Sequence, residues 1–176
     1  MKLGAKIFGV LAGVLILYLA IGVLLPGTWE AEADALFPAP SSVVFQFLDR
    51  PEQWVRWNAM PESGSRFVGP EAGEGAGLDW DDPRYGSGSY RVLVSQPPTL
   101  MEYEVKIEGG RLTIQGRISL EDQGNRTFLR WVERGDFGLN PLMGYAARGM
   151  KGSQSEAMRA NLDSLRVLIQ SKEAGT

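Results

Sequence analysis

The chain contains no cysteine and no histidine. Without cysteine there is no disulfide, no thiol nucleophile and no thiolate metal ligand. The loss of histidine excludes more, because imidazole is the usual general base near neutral pH and the commonest metal ligand. Ser-His-Asp and Cys-His machinery is ruled out, and a zinc hydrolase would lack its usual ligands. The formal net charge is only -3, and no basic run occurs beyond the first six residues. The electrostatic footprint of a nucleic-acid binder is therefore missing.

What the chain does have is a long uncharged run, IFGVLAGVLILYLAIGVLL, from Ile7 to Leu25. About 19 residues at 1.5 Å each make roughly 28 Å of helix, close to the ~30 Å hydrocarbon core of a bilayer. A charge at that depth costs several kcal/mol, so such a run is the expected sequence of a membrane span. A secretory signal is the alternative, but its apolar region is typically about 7 to 15 residues. The small-x-small sites nearby, Ala31-Glu32-Ala33 and Ala33-Asp34-Ala35, lie inside the first expected strand. The reading is an uncleaved anchor over residues 1–27, one domain over 28–172 and a disordered tail over 173–176. Lys2 and Lys6 precede the span, and Glu30, Glu32 and Asp34 follow it. The positive-inside rule then puts the N-terminus in the cytoplasm and the domain outside it, in the periplasm if the source is bacterial. Gly9 and Gly13 have the GxxxG spacing that brings two helices together, or they reflect the general abundance of glycine in membrane helices.

About 150 residues follow the span, enough for one domain with its own core. Thr28 to Phe37 alternates Trp29, Ala31, Ala33 and Ala35 against Glu30, Glu32 and Asp34, the period of a half-buried strand. A short helix is predicted to run to Leu48, capped by Ser41 or Ser42, and a second from Pro51 to Trp57, capped by Asp49. A glycine-rich stretch holds short strands at Ser65–Val68 and Gly77–Asp82. Its Gly73, Gly75 and Gly77 run on into a strand rather than a helix, so they read as turn and bulge residues, not a phosphate loop. Longer strands are predicted at Ser89–Ser95, Leu100–Ile107, Arg111–Leu120 and Arg126–Arg134, with a hairpin signal at Gly109-Gly110 and a turn at Asp122–Asn125. Their alternation implies an antiparallel sheet with one covered and one wet face. A long helix then starts at Pro141 with Asn140 as its cap. Its apolar residues are Met150, Ala157, Met158, Leu162, Leu165, Leu168 and Ile169. Gly144, Gly149 and Gly152 weaken its first half, which is either bent or a separate segment.

This order, with F-P-A-P-S-S-V-V-F at Phe37–Phe45, W-x-x-W at Trp54 and Trp57, G-x-G-x-x-x-W at Gly75–Trp80, G-S-G at Gly86–Gly88, Thr127 with Trp131, and G-D-F-G-x-N-P at Gly135–Pro141, resembles the SRPBCC or START-like superfamily. The similarity is to its polyketide cyclase/dehydrase branch and extends from Trp29 to about Ser171. The resemblance implies an α+β helix-grip fold, an antiparallel sheet curved around a long C-terminal helix, with an apolar cavity between them. It also implies a hydrophobic small molecule or lipid as partner. It does not by itself transfer an activity, since fold does not fix function.

In such a fold the cavity candidates are Trp57, Trp80, Tyr90, Met101, Tyr103, Trp131, Met150 and Met158; the same side chains are also the normal material of a filled core. Glu133 shares the face of Leu129 and Trp131. Among apolar walls its pKa would rise and it would serve as acid or base, with Tyr103 or Tyr90 orienting a carbonyl. The other reading ends the strand near Glu133, which then meets solvent or pairs with Arg134 or Arg91. Asp136 reads as a turn residue. Asp79, Asp81 and Asp82 cluster without an EF-hand spacing, so no metal and no cofactor are assigned. Three functions remain: a membrane-tethered binder of a hydrophobic ligand, an enzyme on a hydrophobic carbonyl substrate using Glu133 or Tyr103, and a partner-binding envelope domain.

Overall fold

A computed structural model describes residues 2–60, 64–84, 86–138 and 141–174. These residues form helix α1 (Lys2–Leu24), β1 (Thr28–Phe37), α2 (Ser41–Phe45), α3 (Pro51–Trp57), β2 (Ser65–Val68), β3 (Gly77–Asp82), β4 (Gly86–Gln96), β5 (Leu100–Ile107), β6 (Leu112–Asp122), β7 (Thr127–Asp136) and α4 (Met143–Ala174). The strands make a single curved sheet in the order β1-β7-β6-β5-β4-β3-β2, every neighbouring pair antiparallel. A 3-10 turn at Glu108–Gly110 joins β5 to β6 where the Gly-Gly pair signals a hairpin. This is the helix-grip architecture.

One face of the sheet is covered and the other is wet, as the alternation predicts. Along β7 the inward residues Thr127, Leu129, Trp131 and Glu133 are all buried. On the wet face Arg134 meets its register partner Glu30, Arg117 meets Glu102, and Arg130 meets Glu32 at 2.7 Å. Exposed pairs of this kind contribute at most about 1 kcal/mol each, so they tune solubility and register more than stability.

The covered face carries aromatic rings laid across glycines of the next strand. Trp29 opposes Gly135, Trp80 opposes Gly88, and Tyr103 opposes Gly116. At each of these glycines a Cβ would overlap the facing ring. A missing side chain on one strand thus makes room for an oversized one on its neighbour.

Helix α4 closes that face with a stripe of Ala147, Met158, Leu162, Leu165 and Ile169, all buried. It runs along β1, the edge strand, where Ser155 Oγ accepts the otherwise free N–H of Glu32 at 3.2 Å. An edge so covered is withdrawn from pairing with other chains.

Several local expectations are corrected. Pro40 occupies the N-cap of α2 and no side chain caps it; the helix ends at Phe45, short of Leu48, and Ser41 Oγ donates to Asp122 instead. Arg50, not Asp49, is the N-cap of α3, because Asp49 turns away to accept a hydrogen bond from Ser95. Strands β4, β6 and β7 run longer than their predicted spans, to Gln96, Asp122 and Asp136. Helix α4 begins at Met143 rather than Pro141, and its expected cap Asn140 lies outside the described residues. It is one continuous helix through Ala174, past the predicted boundary at 172, while residues 175 and 176 lie outside the described set. Gly149 and Gly152 face open space, and Ala157 is exposed rather than part of the buried stripe.

Helix α1 includes a 19-residue apolar stretch, Lys6–Leu24, long enough to cross a membrane by length and composition. Its far end is fastened to the domain. The Tyr18 and Tyr145 rings stack at 4.4 Å, and the Tyr145 hydroxyl donates to the Tyr18 carbonyl at 2.8 Å. A Cβ on Gly144 would lie 2.7 Å from the Leu25 Cβ, and the Phe137 N–H donates to the Gly27 carbonyl at 3.1 Å. Small residues at these positions let the helix end and the start of α4 approach closely.

Candidate functional site

The site grows from one row of the sheet. Register places Val92, Tyr103, Gly116, Glu133 and Ala31 side by side on β4, β5, β6, β7 and β1. Because Gly116 has no side chain, the Tyr103 ring lies across β6 and reaches Glu133 on β7. There its hydroxyl donates to Glu133 Oε1. The direction is supported by Trp131, whose Nε1–H can only donate and does so to the Tyr103 oxygen at 2.8 Å. From α4, Gln154 Nε2 donates to Glu133 Oε2 at 2.6 Å. Both oxygens of a carboxylate only 6% exposed are thus satisfied by neutral donors.

A cavity of about 200 Å³ opens beside this pair. Trp54, Trp80, Tyr103 and the aliphatic Val105, Ile107 and Ile114 wall it, Glu133 and Gln154 supply its polar end, and Asn58, Ala59 and Met60 complete it. A second hollow of about 490 Å³ shares Ile107 with it and is bordered by Phe137, Leu112 and Met143, next to the start of α4. A larger depression of about 550 Å³ lies where β1 begins, but it is open, and the exposed Glu30–Arg134 pair lines it. Buried aromatic walls and convergent polar groups single out the pocket beside Glu133.

Electrostatics follow burial. Loss of water pushes the Glu133 carboxyl above its ordinary value near 4.5, against the opposing hydrogen bonds from Tyr103 and Gln154. Burial first, and then the neighbouring Glu133 charge, lift the Tyr103 hydroxyl far above its ordinary range, so it remains a donor at any physiological pH. Folded Glu133 therefore keeps its proton over a range in which the unfolded chain has lost it. The unfolded state then binds fewer protons, and stability falls as pH rises from about 4.5 through the raised value. Asp49, also raised by burial, acts with the same sign. Glu133→Gln is expected to remove its share of that decline. Denaturant unfolding of both forms between about pH 4.5 and 7.5 checks this, and an unchanged slope in the variant would refute it.

Of the sequence candidates, the cavity wall takes Trp80 and Tyr103, with Glu133 beside them. Tyr90, Met101, Trp131 and Met158 are buried in the core rather than on the wall, and half-buried Met150 is not on the wall either. Trp57 is held with its Nε1–H donating to the Phe47 carbonyl at 2.8 Å. The reason is Trp54. Its ring packs against Trp57 at 4.5 Å, Tyr103 at 5.0 Å, Tyr90 at 5.1 Å and Trp131 at 5.9 Å, filling space that an empty grip would leave hollow. Glu133 does not meet solvent, and it pairs with neither Arg134 nor Arg91. β7 continues to Asp136, and those arginines bind Glu30 and Asp79. Asp136 accepts the Gly138 N–H at 2.8 Å, the turn role expected of it. Asp79 is held below its ordinary range chiefly by the Arg91 hydrogen bond. Among the described residues no three acidic side chains converge as a metal site.

Sequence reasoning missed Trp54 and Gln154 as wall residues. A signal existed for each. Trp54 lies three residues before Trp57 on one helix, and Gln154 lies midway between Met150 and Met158 at helical spacing.

A curved antiparallel sheet gripping a long helix, with an aromatic pocket beside a buried carboxylate, defines a helix-grip domain. The chain belongs to the polyketide cyclase/dehydrase and lipid transport family, whose model matches residues 28–170. No curated protein matches it. Among solved structures it is similar to norcoclaurine synthase from Thalictrum flavum in complex with dopamine and hydroxybenzaldehyde, at 12% identity and TM-score 0.63 over 86% of this chain and 91% of that one. It is also similar to a protein from Arthrobacter aurescens, at 20% identity and TM-score 0.57 over 81% and 86%. Protein MLL2253 from Mesorhizobium loti matches at 16% identity and TM-score 0.58 over 81% and 97%. At such identities the likeness is one of fold.

Proposed function

We propose that this protein is a membrane-anchored binder of a hydrophobic small molecule or lipid, acting without catalysis. The observation that carries the reading is the pocket walled by Trp54, Trp80, Tyr103 and three aliphatic side chains. The family description, which includes lipid transport, supports it. Helix α1 supports the anchor, since a tethered domain samples a high local concentration of any ligand that partitions into the bilayer. The charges at its two ends favour a cytoplasmic N-terminus and a domain on the far side.

One observation favours a second reading. A buried carboxylate bonded to a tyrosine hydroxyl is an acid/base pair in form, and a synthase shares this fold. Under that reading Glu133 or Tyr103 would act on a carbonyl group of a hydrophobic substrate.

The natural absence of cysteine makes topology directly testable. In spheroplasts carrying the full chain, Leu93→Cys on the exposed sheet face is expected to react with a membrane-impermeant maleimide, and Lys2→Cys to react only after permeabilisation. The reverse pattern would place the domain in the cytoplasm. For the cavity, a series of linear alcohols offered to the full chain in amphipol should raise the unfolding temperature as chain length grows, then plateau once about 200 Å³ is filled. No shift at any length would remove the binding reading.

A further inference from the structure

We infer that the ligand of the pocket beside Glu133 carries a protonated amine, which pairs with that carboxylate. The inference rests on the ligand-binding reading and adds the chemical class of the ligand. Glu133 is 6% exposed, and its oxygens accept hydrogen bonds from Tyr103 and Gln154. That donor set suits an ionised carboxylate, which accepts at both oxygens. Burial alone holds the Glu133 proton above the ordinary carboxyl range, and a cation placed beside the carboxyl favours its ionised form. Among the described residues no lysine or arginine supplies it. The nearby basic side chains are committed on the wet face, Arg134 to Glu30 and Arg91 to Asp79. From the elements packed against Glu133, β5 presents Tyr103, β6 Gly116, β1 Ala31 and α4 Gln154, so among the described residues no positive group faces it.

The walls fit the same ligand. Trp54, Trp80 and Tyr103 line the space beside the carboxylate, and aromatic faces attract a desolvated ammonium. Among the described residues that line the cavity none is basic, so none repels one. An ammonium donating to Glu133 stabilises the ionised carboxylate, while the aromatic and aliphatic walls take its hydrocarbon part. A ligand carboxylate would meet Glu133 as a like charge and is excluded by the same geometry.

The test uses the full chain in amphipol and three probes of nearly the same shape: 2-phenylethylamine, 2-phenylethanol and phenylacetate. By calorimetric titration near neutral pH, the amine is expected to bind at least tenfold more tightly than the alcohol, and phenylacetate not to bind. In Glu133→Gln the amine should lose that advantage. A second measurement needs no variant: amine affinity should rise with pH as Glu133 ionises, while alcohol affinity stays flat. Equal affinity of amine and alcohol, or tighter binding of phenylacetate, would overturn the amine assignment while keeping the cavity. Binding by none of the three would overturn the cavity reading itself.

Discussion

Gly116→Ala is expected to destabilise the domain by about 1–3 kcal/mol, a large effect for one methyl group. The Gly116 backbone is not left-handed, so conformation is not the reason. The reason is contact. A Cβ there would overlap the Tyr103 ring and crowd its hydroxyl, the group that bridges Trp131 and Glu133. Tyr103 would have to leave, and the buried Glu133 would lose one of its two donors. Two controls separate this from a general intolerance of change. Gly149→Ala, on a helix with nothing within 4 Å of the added atom, should stabilise slightly, by up to about 1 kcal/mol. In a Tyr103→Ala background, the cost of Gly116→Ala should largely vanish, because the clashing ring is gone. Equilibrium denaturation of the four forms gives the cycle. Additivity would mean that the ring and the glycine are not coupled.

Trp54→Ala should be the most damaging single substitution in the core, costing about 3–5 kcal/mol. Trp54 is 1% exposed and contacts four other aromatic rings. Nothing nearby can collapse into the space, since β4, β5 and β7 are fixed by their ladders and Trp57 by its bond to Phe47. The vacated volume adjoins the cavity that Trp54 already lines, so the variant should also accept bulkier ligands than the parent. Denaturant midpoints measure the first effect and ligand size at saturation the second. A loss under about 1 kcal/mol would show that the aromatic cluster can repack without its centre.

The parts of the fold that could be read in advance are those where one physical rule acts alone. In β1 and β5, period-two alternation is uninterrupted, and the predicted bounds Thr28–Phe37 and Leu100–Ile107 coincide with the observed strands. Where two rules compete, the reading fails. Ser41 and Asp49 are ordinary capping residues, but Asp122 and Ser95, brought near by the sheet, offer their side chains other partners. The candidate site was half legible for a related reason. Alternation puts Tyr103 and Glu133 on the inner face, but only register makes Gly116 the gap through which they touch. A lone glycine in a strand signals a bulge, a bend or a close approach, and the sequence does not say which. The hollow expected between sheet and helix shrank because Trp54 on α3 fills it, a packing fact that no periodicity encodes.

The central claim is that the space beside Glu133 is a ligand site and not a packing defect. Native mass spectrometry of the full chain, purified in detergent and compared with its denatured mass, tests this most directly. A reproducible extra mass is expected in the native form, released on unfolding. A bare mass in both forms, with no uptake from an offered lipid extract, would contradict the claim and leave the aromatic cluster as a core and nothing more.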